Sequence, residues 1–140
     1  MNPRIAAALA LAAAFALPPP AAAQADFLAA PKVACAPESV TRCTAADQCT
    51  TRAASARDKT EVLVIDFGGK KAAVRRADGM KPFADIVEDQ VSGEQRRFSL
   101  VESGSGGGER LAAALSRAGK LTLVLDKAGS KAEATCTVES

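Results

Sequence analysis

The chain has 140 residues, with 18 Lys and Arg against 16 Asp and Glu, four Cys, five Phe, and no His, Trp or Tyr. The absence of His removes the usual general base, the Ser-His and Cys-His nucleophile pairs and the commonest zinc ligand. Nearly balanced charge with no basic run leaves nothing to track a phosphate backbone, so nucleic acid is not an expected partner.

The chain opens MNPRIAAALALAAAFALPPPAAAQA. Arg4 precedes an apolar run from Ile5 to Leu17, prolines break it, and Ala23-Gln24-Ala25 supplies small residues at a cleavage position. This is the pattern of a secretory signal peptide over 1–25, cut after Ala25. The run is too short to span a membrane, so no stable insertion is expected after cleavage. Residues 26–140 then form one domain, periplasmic or secreted, with a modest core. Phe27, Phe67, Phe83 and Phe98 are its only aromatic residues, and core positions suit all but Phe27.

Residues 26–34 read as a lead-in, with a short strand over 32–35. Cys35, Cys43, Cys49 and Cys136 follow, an even number, which in an oxidising compartment predicts two disulfides. Zinc bound by thiolates is the competing reading, but neither short spacing is Cys-x-x-Cys, and no metal or cofactor is expected. The segment SVTRCTAADQCTTRA reads as a small hairpin with TAADQ at its tip, whose flanking cysteines can face each other. That favours Cys43 with Cys49 and Cys35 with Cys136. The competing set is Cys35 with Cys43 and Cys49 with Cys136. A tie from Cys35 to Cys136 would contribute roughly 3–5 kcal/mol, mainly by restricting the unfolded chain.

Next, TEVLVIDF and KKAAVRR flank Gly68-Gly69, a two-residue hairpin signal. The predicted register pairs Phe67 with Lys70, Ile65 with Ala72 and Leu63 with Val74. On the other face Asp66 meets Lys71. Ala77-Asp78-Gly79 is a further turn. Over 83–91, Pro82, the Phe83/Ile86/Val87 spacing and Gly93 would suit a short helix. The alternation in FSLV favours instead two strands joined at Ser92-Gly93-Glu94, with Phe98 and Leu100 facing the core. SGSGGG, 103–108, matches neither a dinucleotide fingerprint nor a P-loop and reads as a flexible loop. In ERLAAALSRAGK, Leu111, Ala113 and Leu115 alternate as a strand would, although the Ala content and Gly119 also suit a short helix.

The clearest period-two signal is KLTLVLDKAGSKAEATCTV, 120–138. Leu121, Leu123 and Leu125 form one apolar set; Ala132, Ala134, Cys136 and Val138 form the other. The predicted hairpin pairs Leu125 with Ala132, Leu123 with Ala134, Leu121 with Cys136, and sets Asp126 opposite Lys131. The whole chain therefore reads as mainly β, a small antiparallel barrel or sandwich of about eight strands, with a disulfide joining its first and last strands.

The layout resembles the periplasmic inhibitors of C-type lysozyme and, more broadly, four-cysteine periplasmic proteins of Gram-negative bacteria. The inhibitors are small β-barrels with a terminal disulfide and a Ser-Gly-rich loop that plugs the lysozyme cleft. The resemblance implies that Ser103 or Ser105 is the inserted Ser and Lys120 its basic partner. The family's loop continues to a Tyr, where Glu109-Arg110 stand here. The expectation is a non-catalytic module that binds or inhibits another periplasmic or extracellular protein. The alternatives are a structural or assembly component of the envelope, and a carboxylate-dependent hydrolase built on Asp85, Glu88 and Asp89.

Overall fold

A computed structural model describes residues 26–103 and 110–139. They form nine antiparallel strands: β1 (Lys32–Ala45), β2 (Gln48–Ala53), β3 (Val62–Asp66), β4 (Lys71–Arg76), β5 (Gly79–Ser92), β6 (Gln95–Glu102), β7 (Arg110–Ser116), β8 (Lys120–Val124) and β9 (Lys131–Val138). The sheet order is β2-β1-β3-β4-β5-β6-β7-β8-β9, and β1 also pairs with β9. β1 and β3 to β9 thus close an eight-stranded barrel, with β2 as a ninth strand outside it. Closure leaves the barrel strands without a free edge, which removes the hazard of edge-to-edge pairing.

Alternation sets the core. Val33, Cys35, Ile65, Phe67, Ala72, Ala84, Ile86, Phe98, Leu100, Ala113, Leu115, Leu121 and Cys136 all turn inward and are buried. A barrel of eight strands has an interior that side chains can fill, and each fully buried Leu or Ile contributes about 1.5–3 kcal/mol. Phe67 and Phe98 meet edge to face at 5.1 Å between ring centroids.

Both favoured disulfides are present. Cys35 faces Cys136 across β1 and β9, and Cys43 faces Cys49 across β1 and β2. The first lies in the core; the second staples an arm outside it. The strand expected over 32–35 and the disulfide hairpin share one continuous strand. β1 runs fourteen residues, with a bulge between Pro37 and Ser39. Its first part sits between β3 and β9; its second part lies between β2 and β9. A proline has no N–H to give a ladder, so a bulge is where a long strand can carry one.

The strands expected over the second half also form. β5 and β6 join through Gly93 and Glu94, β7 is a strand, and Phe98 and Leu100 are buried. The β3–β4 pairing has Leu63 opposite Val74, Ile65 opposite Ala72 and Asp66 opposite Lys71.

Three local expectations are corrected. Phe67 does not pair with Lys70: the loop spans 67–70, and positive φ falls on Lys70 (56°) rather than on either glycine. Asp66 instead bends back to accept from the Gly69 N–H at 2.9 Å, and a Cβ on Gly69 would sit 2.7 Å from that carboxylate. Lys71 forms its ion pair with Asp85, at 2.5 Å, not with Asp66. In the last hairpin, Leu121 pairs with Ala134, Leu123 with Ala132 and Val124 with Lys131, two residues from the expected register. The cause is Asp126. Its Oδ1 accepts from the N–H of Ala128 (3.0 Å) and of Ser130 (3.1 Å), so the loop closes where Leu125 N–H donates to Ser130 O. A slip of two keeps each side chain on its own face.

Candidate functional site at the open end of the barrel

Antiparallel alternation puts residues 26–31, loop 67–70, turn 93–94 and turn 117–119 at one end of the barrel. Turns 46–47 and 77–78, the start of the 103–110 connection and loop 125–130 lie at the other.

The first end is sealed. Leu28 and Ala30 are buried, and Phe27 packs against the core. Gly119 has φ +87°, and a Cβ there would lie 2.6 Å from Phe27 Cζ, so the ring needs a glycine beneath it. The N–H groups of Phe67 and Gly68 both donate to Pro31 O. Arg96 locks the segment in place. Its Nη1 donates to Ala30 O at 2.8 Å, its Nε and Nη2 form a fork to Asp89, and its guanidinium lies 3.5 Å from the Phe67 ring centroid.

The second end is apolar, and among the described residues no segment folds over it as 26–31 does over the first. Inward-facing Leu63, Phe83, Leu111, Leu123 and Ala134 are only partly buried against the core. Two of the clefts at this end are lined by inward-facing residues of the rim. One, of about 300 Å³, is lined by Pro82, Phe83, Ala84, Leu100, Glu102 and Leu111. The other, of about 200 Å³, is lined by Pro37, Val40, Asp58, Glu61, Leu63, Val74 and Ala132. Phe83 enters the first because a bulge between Ala72 and Ala73 leaves it without a strand partner on β4.

The acid at the second cleft is fixed. Asp58 sits in a 3₁₀ turn, Asp58–Thr60. Its carboxylate accepts from Arg52 Nη1 at 2.8 Å and from the Ser55 N–H at 2.9 Å. The Arg52 guanidinium, then the Ser55 N–H, holds its carboxyl down from 3.8 to about 2. At loop 125–130, Ser130 is 1% exposed; its hydroxyl accepts from Cys43 N–H at 2.9 Å and donates to Cys43 O. That contact ties the β1–β2 arm to the rim.

The residues expected to bind are not gathered there. Ser103 closes β6, its N–H donating to Phe83 O at 3.2 Å, on the rim of the first cleft. Ser105 lies outside the described residues. Lys120 begins β8 beyond the far end of β7, about 25 Å along the strand direction from Ser103 at the usual rise per residue. Its Nζ donates to both Glu38 oxygens, at 2.7 and 2.8 Å, and to Thr135 Oγ1 at 2.9 Å. The Lys120 ammonium, then the Thr135 hydroxyl, holds the Glu38 carboxyl below its ordinary range. Ser103 and Lys120 therefore belong to different ends of the molecule.

The three acids of the hydrolase alternative are dispersed. Asp85 binds Lys71, Glu88 binds Arg110 at 2.7 Å, and Asp89 binds Arg96 at 2.8 Å. Glu88 stands at φ 57° in a bulge between Val87 and Gln90, where the irregular register gives the neighbouring acids separate partners. Among the described residues no group of three His, Cys, Asp or Glu is arranged to hold a metal ion, and no helix is long and apolar enough to cross a membrane.

Sequence reasoning missed the half-exposed Phe83 and Leu111 as surface. It also missed the seal built by 26–31 with Arg96, because a lead-in carries no periodicity. No protein-family model, curated protein or solved structure matches the chain.

Proposed function

We propose that this chain is a non-catalytic, exported binding module that presents the open end of its barrel to another protein, in the manner of an inhibitor. The observation that carries this reading is the asymmetry of the two ends. One is closed by residues 26–31; at the other Leu63, Phe83, Leu111 and Leu123 stay only partly buried, beside two clefts. Apolar side chains on a rigid, cross-linked rim suit an apolar anchor of a partner better than a soluble metabolite.

The sharpest form is inhibition of a C-type lysozyme. The purified protein in excess over the enzyme should slow lysis of cell walls, and Phe83→Ala should weaken that effect while leaving the barrel folded. Unchanged lysis at saturating protein removes the inhibitor reading.

A second reading, as an assembly component of the envelope, is favoured by β2. Among the described strands it pairs with β1 alone, and it is exposed along its length. Pull-down with the tagged chain from its native envelope should then recover a stoichiometric complex that a proline at Thr50 disrupts.

A further inference from the structure

The two disulfides differ in what surrounds them. Cys35 is 0% and Cys136 4% exposed, and both lie in the core cluster. Cys49 is exposed and Cys43 half-exposed, on an arm that projects beyond the barrel. An attacking thiolate needs a line of approach to one sulfur, so the core bridge can be reached only when the barrel opens.

The arm does not depend on its bridge for position. Around Cys43 and Cys49, β1 and β2 stay in register through Arg42 with Thr50 and Thr41 with Thr51. The Thr41 and Thr51 hydroxyls bond at 2.8 Å. Ser130 holds the Cys43 backbone by its N–H and its carbonyl, and Thr41 pairs with Lys131 on the other side. Breaking the bond would leave the two sulfurs facing each other, ready to close again.

The sulfurs are also unlike each other. Cys49 Sγ lies 3.9 Å from Ala45 O and 4.0 Å from Ala46 O. Cys49 is also the more exposed of the two residues, so its sulfur is the one an external thiolate reaches, and Cys43 is the one that leaves.

We propose that Cys43–Cys49 is a thiol-exchange site for small external thiols, whereas Cys35–Cys136 is a fixed structural bridge. In the step, an external thiolate bonds to Cys49 Sγ, the Cys43–Cys49 bond breaks, and Cys43 leaves as thiolate. A mixed disulfide remains on Cys49. Either Cys43 attacks it and restores the bridge, or a second external thiolate removes the adduct as a symmetric disulfide and leaves Cys49 reduced.

The test uses reduced glutathione on the folded protein, with alkylation and peptide mapping over time. Cys43 and Cys49 should become labelled on the order of a hundredfold faster than Cys35 and Cys136, with the β signal in circular dichroism unchanged. In Cys43→Ser, oxidised glutathione should leave a stable adduct on Cys49. The double variant Cys43→Ser/Cys49→Ser should fold and retain Cys35–Cys136. Opening of both bridges at one rate, resistance of both until urea unfolds the barrel, no adduct on Cys49 in Cys43→Ser, or failure of the double variant to fold would each overturn the assignment.

Discussion

The two ends of this barrel are made of the same strands yet end differently. At one, six residues before β1 fold back over the core, and Arg96 fastens them through a carbonyl, a carboxylate and a ring face. At the other, apolar side chains of the same inward-facing rows are only partly buried, and no described segment covers them. The lesson concerns division of labour. A small barrel cannot bury every inward position, and here most of the inward-facing apolar side chains left partly buried lie toward the end that residues 26–31 do not reach.

Substitutions can separate the ends, and the largest effect falls on the bridge that spans the closure. Replacing Cys35 and Cys136 together by Ser should cost about 4 kcal/mol, because their sequence separation is 101 residues; urea unfolding reads it directly. Gly119→Ala comes next, at about 2–4 kcal/mol, since it combines φ +87° with a clash against Phe27. Adding Phe27→Ala should relieve the clash but not the backbone strain, so the double variant should be less than additive. Arg96→Ala should cost about 2–3 kcal/mol and speed proteolysis near residue 30, without changing partner binding.

The open end should behave in the opposite sense. Phe83→Ala should cost only about 1–2 kcal/mol, since the ring is only partly buried, yet abolish most of the binding to the partner. A loss of stability as large as that of Gly119→Ala, with binding intact, would place Phe83 in the core and not in a site.

The smallest effect is one of pH. Asp58, near the partly buried rim, has its carboxyl held at about 2 by Arg52 and the Ser55 N–H, and Asp126 is lowered by its hydrogen bonds from Ser130. A folded pKa below the unfolded one gives stabilisation that is complete above the ordinary carboxylate range and is lost as pH falls toward the folded value. For Asp58 that window runs from 3.8 down to about 2. Amide exchange around residues 52–61 should therefore rise within it, and Asp58→Asn should flatten the dependence.

Much of this could be read from the residues. The cysteine pairing followed from one short hairpin tip and elimination, and the Ser92-Gly93-Glu94 turn from the alternation of FSLV after it. The β8–β9 register failed because Asp126 looked like the partner of a cross-strand lysine, when Asp-x-x-Gly is also a turn in which the carboxylate caps N–H groups. The partly buried rim was not legible for a different reason. Whether an inward residue such as Leu111 is covered depends on what seals each end, and that is a non-local outcome. Lys120 looked free in one dimension; Glu38, eighty-two positions away, occupies it.

The pairing of β1 with β9 also fixes an order of events. A chain made from its N-terminus cannot close the barrel, or join Cys35 to Cys136, until almost every other strand exists. Meanwhile Cys35 has nearer cysteines with which to err. Cys43 and Cys49 are only six residues apart, and early closure of their bridge withdraws both competitors and keeps Cys35 waiting for its late partner.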